Sequence, residues 1–512
     1  MLTTVLALTF DTVIRGGRIV DGTGNTWFRG DVAINGDTIV AVAPKIEGEA
    51  KRIIDAAGQV VAPGFIDLHT HARRGIFDVP SADNYILQGV TTIFEGPDGA
   101  SPVPIAPFLK QVENRGVSLN FATFVGHGSV REEVMGSVDR AATPAELDQM
   151  KTLVRTAMND GAFGLSTGLF YVPGSFASTE EVIALAKVVA ELGGSHTSHM
   201  RDEAAKVTDS VRETIRIGEE GGLPTQITHH KIAGKRNWGR SAETLKLLDE
   251  ARERGVDVTS DQYPYTASRT GLDALFPRWA LEGGREKVLA RLGDPATRAK
   301  IRAAVIESIK YDRGGGDPKN VQISLAPHDA SLAGRTLADV LRARGVEPTV
   351  ESGADLTLEL VGKSEVAAIF HMMNEEDVER ILRHPATMIA SDGEVPVFGK
   401  EAPHPRSYGT FARVLGVYVR EKKVLTLEDA IRKMSSYPAA RVGITDRGLL
   451  RPGMKADIVV FDANRIIDKA TFTNPHAYAE GVSHVLVNGV LVVDAGKVTK
   501  NRPGRVLRHA VR

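Results

Sequence analysis

The chain has no cysteine. Disulfides, cysteine-ligated zinc and a cysteine nucleophile are therefore excluded, but the compartment is not, since cytosolic and periplasmic proteins can both do without the residue. Net charge is nearly absent too. The 63 Lys and Arg residues oppose 64 Asp and Glu, for a formal charge of −1 and a pI near 6.9. No global field favours nucleic acid or an anionic membrane as a partner. No window approaches the roughly 18 apolar residues that a membrane span needs. The opening "MLTTVLALTF" is apolar, but it holds no Lys or Arg and no small-residue cleavage site before "DTVIRGG". It reads as a first strand or a ragged terminus, which fits a cytoplasmic protein. The alternative is a truncated signal peptide, which would make the protein periplasmic or secreted. What is present is ample: 512 residues, 42% hydrophobic and 25% charged, enough for a large core and more than one structural unit.

The first 60 residues are strand-like. "DTVIRGGRIVDGTG", "GDVAINGDTIVAVAP" and "KRIIDAAGQVVAPG" are β-branched runs cut by Gly-Asp and Asn-Gly turns. The texture returns in "GMKADIVVFDA" and "VSHVLVNGVLVVDAGKV". Residues 1–60 and 445–512 are accordingly expected to build one small β-sandwich from both termini. Between them, strand-like segments alternate with amphipathic helices: "VAPGFIDLHTH", "GVTTIFEG", "SLNFATFVGHG", "GAFGLSTGL", "GGSHTSHMR", "LPTQITHHK", "GVDVTSDQYPY" and "ATMIASDG". The spacers "TPAELDQMKTLVRTAMNDG" and "STEEVIALAKVVAELGG" each open on Thr or Ser with Glu three positions later, a capping-box signature. Such β/α repeats predict an α/β fold, a (β/α)8 TIM-like barrel over residues 61–444, whose chemistry gathers at the carboxyl ends of the strands. The long spacer 280–385 is read as an inserted α/β subdomain or lid before the last strand.

Those strand ends carry an unusual set of residues. In "GFIDLHTH", His69 and His71 are two apart and share one face of a strand, at the barrel mouth. "SHTSHMRDE" ends with His196 and His199, "ITHHK" with His229, His230 and Lys231, and "IASDG" with Asp392. Buried His and Asp need partners, and a divalent metal is one partner for many of them. Neutral imidazoles with a carboxylate suit catalytic zinc or a similar ion. Strand alternation turns His230 away from His229, and His196 and His230 are read as core residues or residues behind the site. Asp67 shares the inward face one layer deeper. His127 at the third strand end is a structural residue or a substrate contact. Tyr171, on a loop at the same face, is read as a substrate contact over simple packing. Trp238 is read as part of a solvated loop. "YDRGGGDPKN" lacks a following Gly-Lys-Ser/Thr and is a turn rather than a phosphate loop.

The constellation resembles the amidohydrolase superfamily, and within it the D-aminoacylase, or N-acyl-D-amino-acid deacylase, family. The likeness is carried by "PGFIDLHTH", "SHMRDE", "ITHHK", "SDG" and "PHPRSYGTFARVLG". It implies a metal-dependent hydrolase with His69, His71, His199 and His229 as ligands and Asp392 as general base to a metal-activated water. It further implies that Lys231, Tyr263 and Arg406 hold the substrate's carboxylate. The family often has a bridging Cys after strand 2; this chain reads "FEGPDGAS", leaving Glu95 or Asp98 as the carboxylate in its place. The fourth strand has no Lys, so the carbamylated lysine of other members has no counterpart, and one or two ions remain open. Zinc is the metal expected, with manganese or cobalt favoured by a harder bridge. The expected partner is a small N-acylated molecule, most of all an N-acyl-D-amino acid; a homo-oligomer is left open. A cyclic amide, dipeptide or xenobiotic amide is the alternative substrate, and a non-catalytic metal-binding barrel the alternative from another class.

Overall fold

The structure is a computed structural model that describes residues 9–511. The alternatives for "MLTTVLAL" lie outside the described residues. Eight segments alternate with helices. Strand 1 is Phe65–Asp67, strand 2 Val90–Glu95, strand 3 Asn120–Thr123 and its continuation Val125–Gly126, and strand 4 Gly164–Gly168. Strand 5 is Ser195–His199, strand 6 Thr225–Ile227, strand 7 Val258–Gln262 and strand 8 Thr387–Ile389.

All neighbouring pairings are parallel. Strands 1, 2 and 3 form one run, and strand 3 passes through Val125–Gly126 into the run of strands 4, 5, 6, 7 and 8. Closure comes at the carboxyl ends. Thr70 bridges Gly393 in parallel, Asp392 N donates to His69 O at 2.9 Å, and His71 N donates to Gly393 O at 2.7 Å. The result is a parallel (β/α)8 barrel, and the bonds that close it also fix the backbones of the residues expected to hold metal.

The helices cover the outside because each presents an apolar stripe to the strands. Pro144–Asn159 begins with the full capping box expected of Thr143 and Glu146. In Thr179–Glu191, Ser178 accepts from Glu181 N, but the Glu181 carboxylate leaves the cap and turns inward to His127 and Arg131.

Strands from both ends of the chain share one nine-stranded sheet. Thr9–Ile19 pairs with Phe28–Asn35, Glu49–Asp55 and Val60–Pro63, and Val60–Pro63 joins Ile458–Phe461 in antiparallel register. The sheet curls around Ile14, Ile34, Ile54, Val61, Ile458 and Leu486, which form the interior of the sandwich. A buried polar knot ties it to the barrel. Asp457 accepts from Asn120 Nδ2 of strand 3 at 2.9 Å and from Asn488 N at 2.7 Å, and pairs with Arg447. Asp457→Ala would leave the buried Arg447 with only the half-exposed Asp446 as counter-charge, and Asn120 and Asn488 without their shared acceptor. It should cost about 3–5 kcal/mol, read as a lowered unfolding midpoint with metal content retained.

The inserted unit begins and ends earlier than residues 280–385. Its antiparallel sheet is Ala267–Gly271, Ala367–His371 and Val321–Leu325, and its helices include Pro295–Tyr311 and Val350–Lys363. The first strand follows so soon after strand 7 that the sequence shows no break between them. Glu375–Arg383, which the sequence reading placed in the insertion, packs on Ser241–Glu253 and strand 8 as a barrel helix. Among the described residues, no helix is long and apolar enough to cross a membrane.

Candidate metal centre

His69, His71, Asp98, His199, His229 and Asp392 converge at the barrel mouth. One oxygen of Asp98 lies 3.4 Å from His69 Nε2 and 3.5 Å from His71 Nε2. Its other oxygen lies 3.3 Å from His229 Nε2 and 3.6 Å from His199 Nδ1. Asp392 Oδ1 is 3.1 Å from His71 Nε2 and 3.5 Å from His69 Nε2. The donors thus fall into two sets that could each hold an ion, His69–His71–Asp98–Asp392 and Asp98–His199–His229, with Asp98 common to both.

Backbone strain accompanies this convergence. Asp98, His229 and Asp392 have φ of +55°, +35° and +51°. A side chain held in that region costs on the order of 1–3 kcal/mol and persists only where its surroundings dictate it. For His229 the clamp is Asp261, which accepts its N–H at 2.7 Å and is itself held by Gln226 Nε2 at 2.5 Å. For Asp392 it is the closing strand, supported by Asp67, which accepts from Ser391 N at 3.0 Å and His69 N at 3.1 Å. For Asp98 it is a close approach to strand 4. A Cβ at Gly168 would sit 2.0 Å from Asp98 O, so glycine there admits the loop. The end of strand 4, which carries no ligand of its own, is thereby covered by Asp98.

The charges identify the group that needs a cation. Asp392 pairs with Arg406 Nη1 at 2.7 Å, and Glu203 with Lys231 Nζ at 2.5 Å. Among the described residues the ion-pair partners of Asp98 within 4.0 Å are imidazoles, with no Lys or Arg. Burial raises the Asp98 carboxyl, but His69, His229 and His199 together hold it well below the usual range. Burial likewise opposes ionisation of Asp392, and Arg406, His69 and His71 overcome it. Burial and Lys231 lower His229, yet Asp98 and Glu203 carry it up to about 9. Both nitrogens of His69 and His199 and one oxygen of Asp98 are buried without a hydrogen-bond partner. The spacings of 3.3–3.6 Å around Asp98 match the edge, about 3.4 Å, between tetrahedral donors at about 2.1 Å from one ion. The residues present fit a divalent metal.

Several expected positions fall elsewhere. The structure does not bring Glu95 to this cluster, because its carboxylate accepts Arg73 N at 2.9 Å and faces the Arg73 guanidinium. Of the two carboxylates proposed from sequence, Asp98 is the one at the centre. Lys231 is not free; it also lies 2.6 Å from His229 Nδ1. Tyr263 lies behind Arg406, with its ring 4.7 Å beneath the guanidinium and its hydroxyl buried without a partner. Tyr171 packs its ring at a 60° tilt against His199, centroids 4.6 Å apart, and bonds Thr270 Oγ1 at 3.1 Å. His230 turns to Thr244 at 2.9 Å and His196 to Thr167 and Thr225; burial pushes both imidazoles down to about 3, neutral residues of the scaffold. His127 pairs with Glu181 at 2.9 Å, and Trp238 donates to Met372 O. Glu203 and Asp261 were missed from sequence; "SHMRDE" is the only signal for the first, and strand-7 parity for the second.

The centre opens into a cavity of about 1800 Å³ lined by His71, Asp98, His199, His229, Asp392 and Arg406 on the barrel side and by the inserted subdomain opposite. Residues 52–493 match the Amidohydrolase family. A D-aminoacylase from Alcaligenes xylosoxydans xylosoxydans is 36% identical over 97% of this chain and 97% of its own length. An N-acyl-D-glutamate deacylase from the same organism is 35% identical over 97% and 96%. The crystal structure of an N-acyl-D-glutamate deacylase from Bordetella bronchiseptica, complexed with zinc and a phosphonate mimic of the tetrahedral intermediate, superposes with a TM-score of 0.84. It is 34% identical and covers 98% of this chain and 100% of that one.

Proposed function

The chain belongs to the amidohydrolase family, and from that premise we propose that it is a metal-dependent deacylase of N-acyl-D-amino acids, with zinc as the metal. The observation that carries this reading is the convergence of four imidazoles and two carboxylates at the barrel mouth, all but His69 lining one cavity, with Asp98 common to both donor sets. Relatives named for deacylation of N-acyl-D-amino acids, matched along nearly the whole chain, support the substrate class.

His69, His71, His199, His229 and Asp98 would hold the metal. When bound, such an ion lowers the pKa of water toward about 7 and polarises a carbonyl. Asp392 then has two tasks: its carboxylate accepts a proton from the attacking water, and it delivers that proton to the amine nitrogen as the C–N bond breaks. Water adds to the acyl carbon, so the products are the free acid and the amino acid. Arg406 presents a planar fork to the substrate's α-carboxylate, with the Tyr263 ring holding the guanidinium from behind. That contact orients the scissile amide.

The test is a panel of N-acetyl-D- and N-acetyl-L-amino acids with metal analysis. D-substrates should turn over, chelation should abolish the activity, and zinc should restore it. Failure to hydrolyse any amide in fully metallated protein would overturn the reading.

A further inference from the structure

The loop "YDRGGGDPKN" has no part in that mechanism, yet it delivers a guanidinium to the cavity wall. Five arginines are more than nine-tenths buried: Arg131, Arg313, Arg406, Arg441 and Arg447. Four pair with carboxylates, in turn Glu181, Asp392, Asp257 and Asp457. Among the described residues Arg313 has no carboxylate within 4.0 Å, and its one side-chain hydrogen bond goes to Met372 Sδ at 3.9 Å. Asp312 next to it in the chain is felt only through space, and a buried cation with no carboxylate in contact is costly, so the exception calls for a cause.

Its surroundings connect it to the metal centre through one aromatic ring. The Arg313 guanidinium lies 4.3 Å over the Phe170 ring, and Phe170 lies 5.7 Å from the His199 ring. Stacking on an aromatic face leaves the edge of the fork free for a planar anion. The loop is keyed to the barrel. A Cβ at Gly234, after strand 6, would meet Tyr311 O at 2.5 Å, and Arg236 stacks on the Tyr311 ring at 3.3 Å. Arg313, Phe170, Tyr171 and His199 line the same cavity.

We propose that Arg313 anchors a second carboxylate of the substrate, in addition to the one given to Arg406, and so makes dicarboxylic N-acyl amino acids the preferred class. The proposal rests on the deacylase reading. The second carboxylate belongs either to the amino-acid side chain or to the acyl group, the two parts of the substrate that flank the scissile amide.

Three substrates separate the sources: N-acetyl-D-glutamate with an acidic side chain, N-succinyl-D-alanine with an acidic acyl group, and neutral N-acetyl-D-alanine. Wild type should favour one of the acidic pair over the neutral one in kcat/KM. In Arg313→Met that ratio should fall by about 10- to 100-fold, the value of a charge-assisted bond, mainly through KM. Arg313→Lys, which keeps the charge but loses the fork, should fall between the two. It also carries the test if the methionine variant does not fold. The acidic substrate whose ratio falls identifies the source. Ratios that stay within twofold of wild type in an active, folded variant overturn the proposal alone. A wild-type enzyme that hydrolyses none of the three overturns the deacylase reading and this proposal with it.

Discussion

Asp392→Asn should lower kcat by about 10²–10⁴ while leaving the metal bound. The side chain keeps its volume, and its backbone position is set by the 2.9 Å bond from its N–H to His69 O, which the substitution does not touch. The four imidazoles and Asp98 remain as donors. What is lost is the basic carboxylate, whose Oδ1 lies 3.1 Å from His71 Nε2 at the cavity wall, and with it the negative charge that pairs with Arg406 at 2.7 Å. Metal stoichiometry measured beside single-turnover rates separates the two functions. Retained metal with turnover above a tenth of wild type would remove Asp392 from the role of general base. Loss of metal would make it chiefly a ligand.

That experiment concerns a residue whose position could be read from sequence. Alternation along a strand put His69 with His71 and turned His230 away from His229, and the structure follows that parity because the barrel interior and its helix layer are both buried and chemically different. The eight strands were legible for the same reason: each is a short apolar run ending in a polar residue or glycine. The limits are equally physical. Glu95 and Asp98 could not be separated, since the choice depends on a loop that places Asp98 at φ +55° against Gly168, a contact between strands 2 and 4 that no local pattern encodes. Glu203 sits in irregular backbone after strand 5, so no period points it at Lys231. The edges of the inserted unit were shifted because Ala267–Gly271 follows strand 7 closely and Glu375–Arg383 has the same amphipathic texture as helices inside the insertion.

Asp98→Ala should abolish tight metal binding at both donor sets, a larger effect than loss of any one histidine. Each histidine belongs to one set, whereas Asp98 offers one oxygen to His69 and His71 and the other to His199 and His229. Its removal also takes away the one anion common to all four imidazoles, leaving Asp392 to His69 and His71 and Glu203 to His199 and His229, and the field that now favours a cation there weakens. Glu95→Gln is the matched control: Arg73 N still finds an acceptor, and metal content should be unchanged. Should Glu95→Gln strip the metal and Asp98→Ala retain it, the assignment of the shared donor would be reversed. Asp98→Cys extends the test to metal identity. A thiolate at the same place is a softer donor, so the variant should keep a metal but shift its preference toward zinc, and away from manganese and cobalt, relative to the wild type in competition measurements.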